Sequence, residues 1–149
     1  LGRDRFLQQK GLIDPVAFER ASGGIDMLAT DYIRMLRRHH RLIDIARERM
    51  IGLDGWITPT TPLPPLPVAD FATKESAAHW NLKINVNGRP GNLFGQCGVS
   101  IPIHMFGTSL PVGLQILCPP DHDRRLLSIA RGIEGLLGRP PKPDVAKFL

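Results

Sequence analysis

The segment VSIPIHMFGTSLPVGLQIL, residues 99–117, contains two short apolar runs separated by a loop around Gly107. The runs VSIPI and LPVGLQIL are rich in the branched residues that favour buried strands. The loop between them, from His104 to Ser109, is short, and a connection of this length joins antiparallel neighbours. The segment therefore predicts an antiparallel strand pair.

Two helices are predicted before this strand pair. The first begins at Asp14-Pro15, a capping residue followed by proline at the first helical position, and ends near residue 22 at a Ser-Gly-Gly stop. The second covers about residues 30–50, where apolar residues recur at steps of three and four with arginines mostly between them. His39 lies on the apolar stripe of this second helix, and we interpret it as a satisfied core residue.

The middle of the chain is less regular. Residues 55–58 predict a short strand, and the proline-rich residues 59–67 predict an extended crossing because proline lacks a backbone donor. Residues 70–88 have no clear periodicity, so no helix or strand is predicted there, although Trp80 is a large apolar residue that could anchor the segment. A short helical turn is predicted after Asn87 or Gly88.

A closing amphipathic helix follows the strand pair. We expect Asp121 or Asp123 to cap it, and Gly138 ends it ahead of a Pro-Pro pair that prevents its resumption. Helices and strands therefore alternate along the chain, which indicates an α/β layer structure.

Composition restricts the class of protein. The 149 residues suggest one domain, and a hydrophobic content of 42% with 22% charged residues is ordinary for a soluble globular protein. No apolar run is long enough for a membrane span, and the start of the chain shows neither a signal peptide nor an initiating Met, so we expect a piece of a longer or processed protein. The net charge of +5 comes largely from an arginine-rich helix without interleaved aromatic residues, which argues against a nucleic-acid partner.

The chain shows no clear catalytic or metal-binding motif. Cys97 precedes Gly98 and an apolar strand, which is typical of a small buried hydrophobe, so a thiol hydrolase is a minor alternative. Histidines that could serve such a thiol as base are scattered along the sequence: His79, His104 and His122. No zinc spacing and no phosphate-binding loop occurs, so we expect no metal and no cofactor. The two cysteines lie in apolar surroundings and are expected to be reduced thiols of a cytoplasmic protein, with a disulfide between them as a minor alternative.

Four motifs in order suggest a family: DGWITPTTP, RPGNLFGQCGVSIPI, LPVGLQIL, and a closing helix with RLLSIARGIE. From about residue 14 to residue 137 the chain resembles the C-terminal part of the amidase signature family. The members of this family are mixed-sheet α/β/α enzymes that hydrolyse or transfer amides, using two serines and a lysine from the N-terminal half. The resemblance implies an α/β chain in which residues 1–149 form the C-terminal portion of an amidase domain, without the catalytic triad.

The resemblance also implies where a substrate would bind. Arg89, Asn92 and Asn85 match positions of the loop and short helix that help form the pocket wall. The related tRNA-dependent amidotransferases carry an acidic residue near the Asn85 position, which holds the amino group of glutamine. A neutral amide here favours a general amidase for a small-molecule amide substrate.

Two further expectations follow. A partial sheet leaves strand edges and an apolar face uncovered, so we expect self-association or an exposed apolar patch. The alternative function is a non-catalytic binding or interaction module on the same architecture. A Gly/Ser-rich segment with a preceding lysine, upstream of this sequence, would decide for the enzyme.

Overall fold

The computed structural model describes residues 2–103 and 110–138. Within these ranges six α-helices, three strands and two short 3-10 turns follow one another. Their bounds are α1 Arg3–Gln8, a 3-10 turn Lys10–Leu12, α2 Pro15–Ser22, α3 Ala29–Arg49, β1 Trp56–Pro59, a 3-10 turn Val68–Phe71, α4 Lys74–Ile84, α5 Arg89–Phe94, β2 Cys97–Ile103, β3 Val112–Cys118 and α6 Asp123–Leu137. The loop predicted from His104 to Ser109 and the chain after Gly138 lie outside the described residues.

The strands form a three-stranded antiparallel sheet with β3 in the centre, in the order β1-β3-β2. The predicted antiparallel pair is confirmed as β2 and β3, with Val99 opposite Ile116. The prediction of a pair alone was incomplete, because β1 joins the other side of β3, with Ile57 also opposite Ile116. The strand predicted at residues 55–58 begins and ends one residue later than expected.

The two prolines within the strands, Pro59 and Pro102, lie where hydrogen bonding to β3 requires no backbone N–H donor. The Thr60 amide donates to the Gly113 carbonyl at 2.8 Å, so Gly113 directs its backbone groups towards β1. Hydrogen-bonded and non-hydrogen-bonded pairs alternate along antiparallel strands. Pro59, opposite Leu114, and Pro102, opposite Gly113, therefore occupy non-hydrogen-bonded positions, and their missing N–H groups cost the sheet nothing.

The core lies between the sheet and α6. Its buried members come from β2, β3 and α6: Ile101, Ile116, Cys118, Leu126 and Ala130. Alternate residues of each strand face α6, as the period of a strand requires, and Ile116 in the central strand is only 1% exposed. The predicted amphipathic helix is thus confirmed as the element that covers one face of the sheet.

The predicted cap of α6 is wrong. The residue before the helix is His122, whose side chain makes no capping bond, whereas its Nδ1 lies 2.8 Å from the Pro120 carbonyl oxygen. Asp121 adopts a left-handed conformation with φ 64° in the preceding turn, and Asp123 is already the first helical residue. A carboxylate inside the first turn still interacts favourably with the helix dipole.

Helix α4 was not predicted, and neither was α1. The first turn of α4 is held by a reciprocal cap, in which Thr73 Oγ1 accepts from the Ser76 amide at 3.1 Å and Ser76 Oγ accepts from the Thr73 amide at 3.2 Å. Serine replaces the Glu or Gln that usually marks a capping box, and the helix is weakly amphipathic, so both sequence signals were faint.

The long helix predicted at residues 30–50 is confirmed as α3, but its apolar stripe is mostly uncovered. None of the α3 residues is buried, and Tyr32 is 50% exposed within the part of the chain that the structure describes. His39 is half-buried, and its Nε2 lies 2.5 Å from the carbonyl oxygen of Leu93 on α5. His39 is therefore hydrogen-bonded as expected, but it is not the core residue that the apolar stripe predicted, because no residue of α3 is buried. No helix in the described ranges is both long enough and apolar enough to cross a membrane.

Candidate functional site

The three predicted substrate-binding residues lie together at the corner between α4 and α5, which we call the α4–α5 corner. Asn85 follows α4, and its Nδ2 donates to Asn81 at 2.9 Å from the main-chain oxygen and 2.8 Å from the side-chain oxygen. Arg89 begins α5, and its Nη2 donates to the Leu82 carbonyl at 2.6 Å. Asn92 follows one turn later and is exposed.

These hydrogen bonds explain how the corner is held. The last carbonyl groups of a helix lack intrahelical partners, and cationic side chains near them are favourable. Arg89 and Asn85 satisfy carbonyl groups in the last turn of α4. Their role towards a substrate stays a prediction, and the contacts seen here fix the position from which both side chains would act.

A row of polar side chains crosses the sheet on the face opposite α6. The register places Thr58, Gln115 and Ser100 side by side on β1, β3 and β2, and Thr60 follows just beyond β1. The Thr60 and Ser100 hydroxyl oxygens lie 2.5 Å apart, and Gln115 Nε2 lies 3.4 Å from Thr58 Oγ1. We call these four residues the polar row, and no motif in the sequence predicted it.

Asn87 joins the polar row to the α4–α5 corner. Its Nδ2 donates to the Pro59 carbonyl at 2.8 Å, and its own carbonyl accepts from Gln115 Nε2 at 2.9 Å. Gln115 is only 9% exposed, and a buried amide without partners would be costly. The two bonds therefore hold the turn before α5 against the sheet and place the corner beside the polar row.

Two glycines allow α5 to lie close to the sheet. A Cβ on Gly91 would stand 3.0 Å from Leu117 Cδ2, and one on Gly98 would stand 2.7 Å from the same atom. At the end of α5, Trp56 Nε1 donates to Gln96 Oε1 at 3.3 Å. The stretch RPGNLFGQCG thus uses Gly91 and Gly98 for close packing, and this packing positions Asn92 and Arg89.

We expect Gly113→Ala to lower the free energy of unfolding by about 1–3 kcal/mol, because overpacking forces neighbours to shift. The new Cβ would stand 2.5 Å from Thr60 Oγ1 and 2.8 Å from Ser100 Oγ, and so would part the two hydroxyl groups of the polar row. Urea unfolding followed by circular dichroism measures the change.

The matched control is Gly135→Ala on α6, where a Cβ meets nothing within 4 Å. There the same change should stabilise the helix by about 0.5–1 kcal/mol, since alanine restricts the unfolded chain more than glycine does. Equal effects of the two substitutions would contradict the close packing of the polar row.

Apart from the Arg89 guanidinium, the site offers neutral hydrogen-bonding groups, and it has no activated nucleophile among residues 2–103 and 110–138. Ser100 contacts another hydroxyl group rather than a lysine or histidine, and Cys97 Sγ donates to the Pro119 carbonyl at 3.2 Å. His79 stacks edge-on against Trp80. His104, another base considered for a thiol hydrolase, lies outside the described residues.

A cleft of about 700 Å³ lies at the other end of α4, away from the α4–α5 corner. It is lined mainly by residues of α2 and the turn before it, and an exposed ion pair, Lys74 Nζ to Glu19 Oε2 at 2.6 Å, bounds it. The hydrogen bond and charge of each partner lower the pKa of Glu19 and raise the pKa of Lys74. Both side chains stay charged near neutral pH, which suits a structural clamp between α2 and α4. The described residues hold no cluster of three or more His, Cys, Asp or Glu side chains that could bind a metal ion.

Fold and site together define an α/β protein in which a helical corner and a polar strand row present hydrogen-bonding groups that are neutral except for the Arg89 guanidinium. The family model described as Amidase matches residues 5–127. The chain belongs to this amidase family.

The relatives include enzymes that act on different carbon–nitrogen compounds. The chain is 35% identical over 127 residues to 2-amino-5-chloromuconic acid deaminase of Comamonas testosteroni, an alignment covering 85% of this chain and 28% of the relative. It is 38% identical over 96 residues to mandelamide hydrolase of Pseudomonas putida, covering 61% and 18%, respectively. It is 33% identical over 87 residues to the A subunit of glutamyl-tRNA(Gln) amidotransferase of Bartonella quintana, covering 58% and 17%. The chain thus spans less than a third of the length of these relatives.

Solved structures show the same fold. A crystal structure of an amidase superposes with a TM-score of 0.65 at 24% identity, covering 85% of this chain and 29% of that one. The A subunit of glutamyl-tRNA(Gln) amidotransferase from Thermotoga maritima superposes with a TM-score of 0.58 at 21% identity, covering 90% and 27%. The expected α/β class and the family resemblance are confirmed.

Proposed function

We propose that this chain is the C-terminal portion of an amide hydrolase, and that the α4–α5 corner forms part of its substrate pocket wall. The observation that carries the proposal is a set of hydrogen-bonding groups at the α4–α5 corner and the polar row, neutral except for the Arg89 guanidinium, with no activated nucleophile beside it among the described residues. Amide hydrolysis needs a nucleophile, a proton donor and oxyanion donors. We infer that another part of the polypeptide supplies a Ser-Ser-Lys triad.

Uncovered apolar surface on α3 supports a larger complete protein. None of the α3 residues is buried, and Tyr32, Ile33 and Met35 are each about half exposed. Large exposed apolar patches on a soluble protein usually mark a surface that another element covers. We infer that further polypeptide covers this helix, either from the same protein or from a second copy.

The chemistry of the corner favours a small neutral amide as substrate. An amide presents one carbonyl acceptor and N–H donors, and the Asn92 side chain offers the complementary groups. The Arg89 guanidinium could orient a further polar end of the substrate through two parallel hydrogen bonds. Asn85 brings no negative charge that would hold the ammonium group of glutamine. The mandelamide named for one relative is a small neutral amide of this kind.

The proposal is tested with the longest polypeptide that the gene encodes. We expect it to release ammonia from small amides such as mandelamide or simple aliphatic amides, and to act poorly on free glutamine. A serine-directed reagent should abolish this turnover. Binding of amides without turnover would favour the non-catalytic binding module instead, and turnover that depends only on a thiol would contradict the proposal.

In that longest polypeptide, Arg89→Ala is expected to lower kcat/KM by about tenfold, equivalent to ~1.4 kcal/mol of transition-state stabilisation. The matched control is Arg124→Ala, which removes another exposed arginine from the first turn of a helix, α6. Because Arg89 also binds a carbonyl group of α4, thermal unfolding of both variants is recorded beside the kinetics. An unchanged kcat/KM for Arg89→Ala would remove this residue from the pocket.

A further inference from the structure

Cys97 and Cys118 lie directly opposite each other in the β2–β3 pair. Cys97 is the first residue of β2, and Cys118 is the last residue of β3. Both belong to the cluster that packs between the sheet and α6, so their side chains lie on the same face of the sheet. Both are free thiols in this structure.

The backbone geometry brings the two residues to the spacing of a disulfide. Because Gly113 directs its backbone groups towards β1, alternate residues of β3, including Cys118, direct theirs towards β2. Cys97 and Cys118 are therefore a hydrogen-bonded pair, for which the Cα separation is about 5.5 Å. Disulfides bridge Cα atoms about 4.4–6.8 Å apart, most often about 5.5–6 Å.

A bond at this position would be strained and easily reduced. Opposed Cβ atoms in such a pair are about 4.5–5.5 Å apart. A relaxed disulfide holds its Cβ atoms about 3.8 Å apart, and departures from that spacing make the bond more reducible. The strand ends can move together more easily than the strand centres, because Cys97 begins β2 only two residues after the left-handed turn at Gly95.

The two thiols differ in access. Cys97 is partly exposed, whereas Cys118 is fully buried. Cys97 Sγ lies 3.2 Å from the Pro119 carbonyl oxygen, and Cys118 Sγ lies 3.2 Å from that of Asp54. Burial, followed by the neighbouring Cys97, raises the pKa of Cys118. Cys97 is therefore the thiol that meets an oxidant first.

We propose that Cys97 and Cys118 form a reversible cross-strand disulfide when the protein meets a hydroperoxide. The Cys97 thiolate attacks one peroxide oxygen, so an S–O bond forms, the O–O bond breaks, and the departing oxygen takes a proton. The Cys118 sulfur then displaces the hydroxyl group from the Cys97 sulfenic acid and gives up its own proton. With hydrogen peroxide, the two thiols lose two protons and two electrons in all, and the peroxide takes them up to become two molecules of water.

The disulfide would act on the segment that carries the α4–α5 corner. Residues 89–94 of α5 lead directly into β2, so a covalent bond at Cys97 ties the end of this segment to β3. The redox site stands independently of the proposed amide hydrolase, since it depends only on the register of β2 and β3.

The experiment exposes the reduced protein to hydrogen peroxide and follows free thiols with a maleimide label and intact mass. We expect both thiols to disappear together, the monomer to lose two hydrogens in mass, and dithiothreitol to restore it. The rate constant for the loss of free thiols should be the same over a wide range of protein concentrations, because the attack of Cys118 on the Cys97 sulfenic acid takes place within one molecule.

Two serine variants separate the roles of the thiols. In Cys118→Ser, Cys97 should still react and accumulate as a sulfenic acid that dimedone traps. In Cys97→Ser, the buried thiol should react about tenfold more slowly, because reactivity follows exposure and thiolate content. Persistence of both thiols, disulfide-linked dimers alone, or sulfinic acid at Cys97 in the unsubstituted protein would overturn the proposal.

Discussion

Replacing Ile116 by alanine is expected to lower the free energy of unfolding by about 3 kcal/mol, within the range of about 2–5 kcal/mol for such changes in a core. Ile116 is 1% exposed in the central strand, where it belongs to the cluster beneath α6. The substitution removes apolar contacts on a strand that is paired on both sides, so the cavity cannot close by moving a sheet edge. Urea unfolding monitored by tryptophan fluorescence gives the change.

The control variant makes the same chemical change in the register partner. Ile57 lies directly opposite Ile116 on β1 but is 61% exposed. Ile57→Ala should therefore cost less than about 1 kcal/mol, since little apolar surface returns to water. If the two variants lose similar stability, then the core does not lie between the sheet and α6 as described.

The isolated chain of 149 residues is expected to hydrolyse no amide above the rate in buffer. Enzymes commonly accelerate their reactions by about 10⁶-fold or more, so the difference from an intact amidase should span many orders of magnitude. The reason is chemical: the described serines lack a lysine or histidine partner, and the Cys118 thiol has a raised pKa. The measurement is ammonia release from aliphatic and aromatic amides.

Parallel labelling with serine-directed and thiol-directed probes identifies any nucleophile that does react. The longest polypeptide from the same gene serves as the positive control. Stoichiometric labelling by the thiol-directed probe, together with turnover that Cys97→Ser abolishes, would establish a thiol enzyme. Turnover that survives Cys97→Ser but disappears in Ser100→Ala would place the catalytic centre on the polar row.

Features set by local sequence were predictable. Proline after Asp14 marked the start of α2, and the apolar period of three and four marked α3 and α6, because both signals act within a few turns of a helix. Pairing between distant segments was not predictable. The union of β1 with β3 depends on residues far apart in the sequence, and nothing in residues 56–59 specifies that partner.

The candidate site also contains residues that could be predicted from the sequence and residues that could not. Arg89, Asn92 and Asn85 came from the family resemblance, and the fold brings all three to one corner. The polar row was missed because its members belong to three strands and become neighbours only through register. Gln115 gave the one available signal, as a polar residue within the apolar run LPVGLQIL. A buried polar residue of this kind needs partners, but the sequence could not name them.

Pro59 and Pro102 have a consequence for how copies of this chain can associate. Each occupies a non-hydrogen-bonded position towards β3, so its nitrogen points to the outer edge of β1 or β2, where it offers no N–H. A strand from another molecule that paired with the outer edge of β1 would find no N–H donor at Pro59, so one of its carbonyl groups would stay unsatisfied. The same holds at Pro102 on the outer edge of β2. Prolines on edge strands are a known protection against fibre-like stacking. The sheet edges are therefore a poor template for strand addition, and we expect any association between copies of this chain to use the uncovered apolar surface of α3 instead.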